Sequence, residues 1–244
     1  MRFNILTIFP EAFISYFKTS IIKRAQTKKL VQIHIFNLRK WANDKHQTID
    51  DHPYGGGAGM IFMIEPIFKA LKALTKKKQV KRRVILFSVS GKKFTQKDAE
   101  RLKKYEEIIF ICPHYEGVDA RIKNLVDEEI SIGDYILTGG ELPAMVVIDA
   151  ITRLIPGVIN EESLKEESFS PSLFKNLKIK IHPPKFFEEK LRRVKDLYYE
   201  YPQYTRPEVF YPDPKNKKIA WRVPKVLLSG HHQKIKEWQL KHMK

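Results

Sequence analysis

Two glycine-rich stretches carry the residues best suited to chemistry. One runs Asp50-Asp51-His52-Pro53-Tyr54-Gly55-Gly56-Gly57-Ala58-Gly59-Met60. The other runs Ile132-Gly133-Asp134-Tyr135-Ile136-Leu137-Thr138-Gly139-Gly140-Glu141-Leu142-Pro143. Each sets glycines beside acidic and aromatic residues, between apolar segments. Glycine lets a backbone close in on a flat ligand, and the flanking polar groups supply specific contacts. Asp50 and Asp51 add a particular capacity. A carboxylate accepts two hydrogen bonds from the N1–H and exocyclic amine of guanine. The plainer reading of 55–59 is a flexible hairpin. Neither stretch is a phosphate-binding P-loop, because no Lys-Ser or Lys-Thr follows, and no turn has the spaced glycines of a dinucleotide site. One cysteine and scattered histidines (His46, His52, His114, His231 and His232 among them) do not make a structural zinc site.

Charged residues elsewhere offer further chemistry. Helix 141–155 is apolar nearly all round, which predicts a buried helix, with a subunit interface as one way to bury it. Asp149, Thr152 and Arg153 interrupt it at spacings that put them on one face. That face is either an internal Asp149–Arg153 pair or an arginine held at the rim of a site. Glu161, Glu162, Glu166 and Glu167 form an acidic island in a basic chain. It reads as a solvated loop, or, beside Ser163, Ser168 and Phe169, as the carrier of a general base. Lysines 76–78 with Lys81, Arg82 and Arg83 read as a solvated loop or a phosphate contact.

Composition narrows the partners. The chain has 244 residues, 43% of them hydrophobic, enough for one large domain or a medium and a small one. Lys+Arg 45 against Asp+Glu 28 gives a net charge of +17, an excess that attracts phosphate polymers. No apolar run reaches the roughly 20 residues of a membrane span. The short alternating start is not a signal peptide, so a cytoplasmic protein without a membrane partner is expected. Cys112 closes the apolar run 108–111 and reads as a packed, inert thiol.

The candidate residues need elements to hold them. Residues 2–9 alternate as a strand, and Pro10 fits the first turn of a helix through Phe13, Ile14 and Phe17. Residues 30–36 alternate again. Val84-Ile85-Leu86-Phe87 is an apolar strand ending in Ser88-Val89-Ser90-Gly91. Thr95 followed by Asp98 starts a helix that ends near Tyr105, and 108–111 is the next buried strand. Strands separated by helices predict an α/β fold with a mostly parallel sheet, whose ligand lies outside the carboxyl ends of the strands. Three loops leave those ends: 86–91, 112–117 and 132–140. The domain division is 1–160, a linker with a basic insertion at 161–200 carrying one short helix near Phe186 to Tyr198, and a small domain at 201–244. The last opens a basic helix after Ser229-Gly230, with Ile235 and Trp238 on one side. On residues alone, a non-catalytic RNA- or ribosome-binding protein explains the charge but not the glycine–acid loops. An enzyme acting on a nucleotide explains both.

Several motifs together resemble one family, the bacterial tRNA (guanine-N1)-methyltransferases. They are His46 to Met60, Tyr115-Glu116-Gly117-Val118-Asp119, Ser131 to Ala144, Arg153-Leu154-Ile155-Pro156-Gly157-Val158, Tyr204-Thr205-Arg206-Pro207-Glu208 and Val223 to Gly230. The similarity covers residues 1 to about 169 and about 201 to 242. The resemblance implies a SPOUT-class α/β fold with a deep trefoil knot, a small, mainly helical tRNA-binding C-terminal domain, and an obligate homodimer. The knot does not follow from the residues, and general rules of chain topology argue against it.

The resemblance also implies S-adenosylmethionine as methyl donor, bound by Leu86, Ser88, Pro113, Tyr115, Glu116, Gly117, Ile132, Gly133, Asp134, Tyr135, Ile136, Leu137, Gly139 and Gly140. The implied substrate is tRNA, methylated at N1 of the guanosine just 3′ of the anticodon, with Asp50, Gly59 and Arg153 at the RNA. Arg153 matches the family's catalytic arginine, and Glu167 stands where the family has a catalytic aspartate. An assisting Mg2+ is suggested for the family, yet no dedicated ligand cluster supplies it here. The chain departs from the family pattern at Pro113 and His114, where glycine and arginine are usual, at Val89 for proline, and at 170–200, which has no clear counterpart. A SPOUT enzyme acting on another nucleotide is the nearest alternative, and it would need no guanine reader such as Asp50.

Overall fold

Alternation and apolar runs produce strands where they are expected. The computed structural model describes residues 1–76, 79–165, 201–213, 216 and 218–242. Expectations for Glu166, Glu167, the helix near Phe186 to Tyr198 and the insertion at 170–200 therefore lie outside the described residues. The chain divides into two compact units, Met1–Glu161 and Glu162–Lys244.

In the first unit the strands are β1 (Arg2–Thr7), β2 (Gln32–Asn37), β3 (Asp50–Asp51), β4 (Ile61–Phe62), β5 (Arg82–Lys93), β6 (Glu107–Ile111) and β7 (Glu128–Ser131). Five of them form one sheet in the order β2-β1-β6-β5-β7, and every neighbouring pair is parallel. The carboxyl ends of these strands consequently share one edge of the sheet.

Both faces of the sheet are covered, as a parallel sheet requires. On one face Leu6, Val84, Leu86, Ile109 and Ile111 pack with Ile67, Ala70 and Leu71 of helix α3 (Ile64–Leu74). The other face stacks Phe110 between Phe3 and Phe87, with ring centroids 6.2 and 5.5 Å apart. Helices α1 (Ile14–Phe17), α2 (Ser20–Thr27), α4 (Gln96–Leu102) and α5 (Glu141–Arg153) complete the unit's main α-helices, and α5 lies against β1, α2 and α4. Burying Val147, Ile148 and Ile151 of α5 contributes roughly 1.5–3 kcal/mol each.

Four local expectations change. The segment after Pro10 is a 3-10 turn (Pro10–Phe13) followed by α1, not one helix. The capping box of Thr95 and Asp98 forms, but α4 stops at Leu102. Helix α5 is not buried all round, because Leu142 is 55% and Val146 48% exposed. Strand β5 does not end at Phe87. It runs on to Lys93, and Ile130 of β7 pairs with both Phe87 and Lys92, so residues 88–91 bulge from the ladder. Gly91 explains why the chain can pass there. A Cβ on it would lie 2.7 Å from backbone atoms of Ile130.

The basic run at the start of β5 is largely consumed by ion pairs. Arg82 and Arg2 bind the buried Glu107 carboxylate, which also accepts from Asn4 Nδ2 at 2.9 Å. Arg83 pairs with Glu128 at 2.9 Å, and Arg101 joins Glu128 at 2.7 Å. Burial pushes the Glu107 and Glu128 carboxyls up, but these cationic partners outweigh it and hold both below the usual range. A loop contact from Arg82 or Arg83 to phosphate is thereby replaced by a structural role.

After α6 (Glu161–Lys165), the second unit contains an antiparallel pair, β8 (Val209–Phe210) with β9 (Trp221–Arg222), and helices α7 (Lys225–Leu228) and α8 (His232–Lys241). Gly230, at φ +67°, turns the chain between the two helices. Ile235 and Trp238 are the half-buried side of α8, and Trp238 meets Tyr204 at 6.2 Å.

Candidate functional site

The carboxyl edge of the sheet brings two of the three expected loops together and adds the glycine hairpin. Loop 112–117 follows β6, and loop 132–140 follows β7. The Gly140 amide donates to the Pro113 carbonyl at 2.8 Å, and His114 and Gly139 form an antiparallel bridge. Gly140 allows this approach, since a Cβ on it would sit 2.6 Å from Cys112 Cα. The same edge carries the bulged segment 88–91, where the Ser88 and Ser90 hydroxyls are 2.9 Å apart.

The residues 50–60 form the hairpin that the plain reading expects, yet it is docked. Asp50 pairs with Phe62 and Asp51 with Ile61 in the two-stranded β3–β4 ladder. Gly55, Gly56, Gly57 and Gly59 all take positive φ, between 78° and 131°, which a side chain rarely tolerates. The hairpin lies on loop 112–117: Glu116 N–H donates to Met60 O at 3.1 Å, and Phe62 N–H donates to Gly117 O at 2.9 Å. A Cβ on Gly59 would lie 2.5 Å from the Glu116 side chain. Asp50, Gly59, Glu116 and Gly117 are therefore parts of one assembly.

Its outer surface suits an approaching ligand. Tyr115 and Glu116 are exposed, and a Cβ at Gly117 would meet nothing within 4 Å. In the third loop Tyr135, Ile136 and Leu137 are 54%, 85% and 36% exposed. The Tyr135 ring covers Gly133, whose added Cβ would lie 2.3 Å from it, and Asp134 pairs with Lys93. Leu86 is buried beneath the loops. Cys112 is buried too, and its thiol is pushed well up by burial first and by the Glu141 charge second. It is inert at neutral pH.

One buried network at this edge has no counterpart in the sequence reading. Glu141 begins α5 and is only 8% exposed. Its Oε1 accepts from Thr7 Oγ1 at 2.7 Å, and its Oε2 lies 3.9 Å from His114 Nδ1. The available signal was an acid placed directly after two glycines and before a buried apolar helix, where a carboxylate suits the helix N-terminus.

Arg153 is set apart from these loops. It ends α5, twelve residues after Glu141, so about 18 Å of helix separate the two at 1.5 Å per residue. Asp149, Thr152 and Arg153 lie on one side of α5 by their spacing but are not equally exposed. Thr152 is fully buried, Asp149 and Arg153 half-buried, and the Asp149 carboxylate accepts from the Tyr16 hydroxyl. Among the described residues no three His, Cys, Asp or Glu side chains are grouped to hold a metal ion. None of their helices is long and apolar enough to cross a membrane.

Known proteins resemble this chain in sequence and fold. Residues 1–244 match the profile described as tRNA (guanine-1)-methyltransferase TrmD. A tRNA (guanine-N(1)-)-methyltransferase of Dictyoglomus turgidum is 46% identical over 242 residues, which span 99% of this chain and 84% of the relative. One from Clostridioides difficile is 45% identical over 242 residues, spanning 98% of this chain and 90% of the relative. The crystal structure of the tRNA (m1G37) methyltransferase from Aquifex aeolicus superposes with a TM-score of 0.71 at 36% identity, covering 99% of this chain and 88% of that one.

Proposed function

The chain belongs to the tRNA (guanine-1)-methyltransferase family, and we propose that it transfers a methyl group from S-adenosylmethionine to N1 of the guanosine immediately 3′ of the anticodon in tRNA. The observation that carries this reading is the docking of the Asp50 hairpin on loop 112–117, through Glu116 N–H to Met60 O at 3.1 Å and Phe62 N–H to Gly117 O at 2.9 Å. It sets a carboxylate able to read guanine beside glycine loops able to hold a nucleoside-bearing donor.

S-adenosylmethionine fits the loops on their own chemistry. Gly117 leaves open backbone, Tyr135 and Tyr115 offer aromatic surface, and peptide groups of 113–117 and 132–140 supply hydrogen bonds to an adenine. When bound, it supplies an electrophilic methyl group on a sulfonium. The remaining work belongs to the protein. Asp50 orients the guanine through its exocyclic amine, which leaves N1 to Glu167 and the methyl carbon. Glu167 accepts the N1 proton as the bond to carbon forms. Arg153 stabilises the negative charge that grows on guanine O6. The backbone of the two glycine loops holds the partners in line.

The protein acts as a homodimer in this proposal. Arg153 stands about 18 Å of helix away from its own loop 132–140, so a second copy is the natural source of the arginine for each site. The exposed Leu142 and Val146 of α5, with Ile14 and Tyr16 47% and 40% exposed, provide apolar surface for that contact. The knot of the SPOUT class belongs to the same reading, as does tRNA binding by the small second unit, whose α7 and α8 would form most of a mainly helical domain. A methylation assay on unmodified tRNA with nucleoside mapping tests the whole. The expected product is N1-methylguanosine 3′ of the anticodon. Methylation at any other atom or nucleotide overturns the assignment.

A further inference from the structure

We propose that His114 is a positioning residue, whose protonated imidazole paired with Glu141 locks the loop after β6 against the loop after β7 and so sets the affinity for an adenosine-bearing ligand. The proposal rests on the reading of these loops as the methyl-donor site.

The two loops already touch through backbone, by Gly140 N–H to Pro113 O at 2.8 Å and the His114–Gly139 bridge. Their one side-chain link is incomplete. His114 Nδ1 is buried and has no hydrogen-bond partner among the described residues, while Glu141 Oε2 lies 3.9 Å away. The carboxylate is held in place, because Thr7 Oγ1 donates to its other oxygen at 2.7 Å. The ring is held too, by edge contacts with Phe9 at 4.9 Å and Tyr115 at 5.0 Å. Gly139 edges the gap between them. A Cβ there would lie 2.3 Å from Glu141 Oε2 and 2.5 Å from His114 Nδ1. A shift of about 1 Å would turn the gap into a charge-assisted hydrogen bond.

Which form of the ring closes that gap follows from its chemistry. A neutral ring with its proton on Nε2 turns a lone pair towards a carboxylate, and the two repel; with its proton on Nδ1 it donates there, but without a charge to strengthen the bond. The protonated ring turns an N–H there and adds a positive charge. Other groups also pack around the ring. From β1 and the turn after it come Thr7 and Phe9, and from the third loop the bare Gly139. The ring's own loop contributes the Tyr115 phenol and the buried Cys112 thiol. Among the described residues, Glu141 on α5 is the charge within ion-pair reach of it. A ligand that needs both loops together therefore favours the protonated ring. Its affinity is highest at low pH and is lost as pH rises through the range where histidine titrates.

The test measures 5′-methylthioadenosine binding by calorimetry from pH 5.5 to 8.5, since this ligand has no group titrating in that interval. The wild-type protein should bind about tenfold more tightly at the acid end. His114→Gln and Glu141→Gln should bind weakly with no pH dependence. His114→Arg, which keeps a cation at every pH, should bind tightly and flatly. Should either glutamine variant fold poorly, the ring protons of His114 followed by NMR in the wild-type protein give the same answer: its titration should move to higher pH when the ligand is added. A flat wild-type profile, a slope that survives in His114→Gln, or a His114 titration unmoved by ligand overturns the proposal. If the wild-type protein binds neither this ligand nor S-adenosylmethionine at any pH, the donor-site reading itself fails.

Discussion

The Tyr16 hydroxyl donates a hydrogen bond to the Asp149 carboxylate, tying the first helical segment to the flank of α5 across 133 positions of sequence. That bond, then burial, then the Asp149 charge push the Tyr16 phenol from 10.0 up to about 12. A raised phenol means that the folded chain holds the proton more tightly than the unfolded one. The resulting stability is complete below about pH 10 and disappears as pH rises through about 12. Thermal unfolding of Tyr16→Phe beside the wild-type protein checks this. The wild-type advantage should be level from pH 8 to about pH 10 and shrink towards pH 11.5. A constant difference across that range would show that the bond does not titrate with Tyr16.

Sites shared between two copies, as proposed, make a distinctive prediction. Arg153→Ala and Gly140→Val homodimers should both lose most activity, the first by about 100-fold and the second because its side chain collides with Cys112. Co-expressed chains that form mixed dimers should regain activity, up to about half per mixed dimer. One site there has intact loops from the arginine variant and Arg153 from the glycine variant. Mixed dimers as inactive as the parents would place Arg153 with its own loops or outside the chemistry. A stable, active monomer in light scattering would remove the dimer altogether.

Salt should separate the two ligands. Lys234 and Lys236 are exposed on α8, and Lys190, Arg192 and Arg193 add charge from outside the described residues. Each phosphate they neutralise adds roughly 0.7–0.9 to the slope of log affinity for tRNA against log salt. S-adenosylmethionine, which has no phosphate and a single net positive charge, should show almost no slope. Equal slopes, measured by filter binding and calorimetry, would contradict the division of labour between the glycine loops and the basic segments.

The proton acceptor is the third question for mutagenesis. Glu167→Gln should leave both ligands bound and cut the single-turnover rate by roughly 100-fold or more. Glu167→Asp should keep much of the activity, as the shorter acid is the family's usual residue. Arg153→Ala should lose about 100-fold, also in the chemical step. If Glu166→Gln stops turnover while Glu167→Gln is harmless, the base is Glu166. Two harmless glutamines would mean that the proton leaves to another group or to water.

The sheet was readable because β1 and β2 alternate while Val84–Phe87 and Ile108–Ile111 are continuous apolar runs, and the capping box because Thr95 and Asp98 act within four residues. Strand β5 was harder to read. Ser88-Val89-Ser90-Gly91 is a turn by composition, and only the pairing of Ile130 with both Phe87 and Lys92 carries the strand past it. The same limit applies at the site. Glycine loops announce themselves locally, but the Thr7–Glu141–His114 network joins residues 7, 141 and 114, and no spacing rule connects them. The exposed flank of α5 was likewise hidden, since Leu142 and Val146 are as apolar as the residues that α5 buries.

Strand order also has a consequence for synthesis. β1 sits between β2 and β6, and Arg2 finds its second neighbour only at Glu107. At a translation rate of about 5–20 residues per second, the ribosome needs roughly 4–14 seconds to make the chain from the end of β2 to the start of β6. For that time the nascent β1–β2 pair presents one open edge of Phe3, Ile5 and Leu6 to the cell. The first polypeptide to emerge is thus among the last to be completed, and a holdase that shields this edge would raise the yield of folded chains.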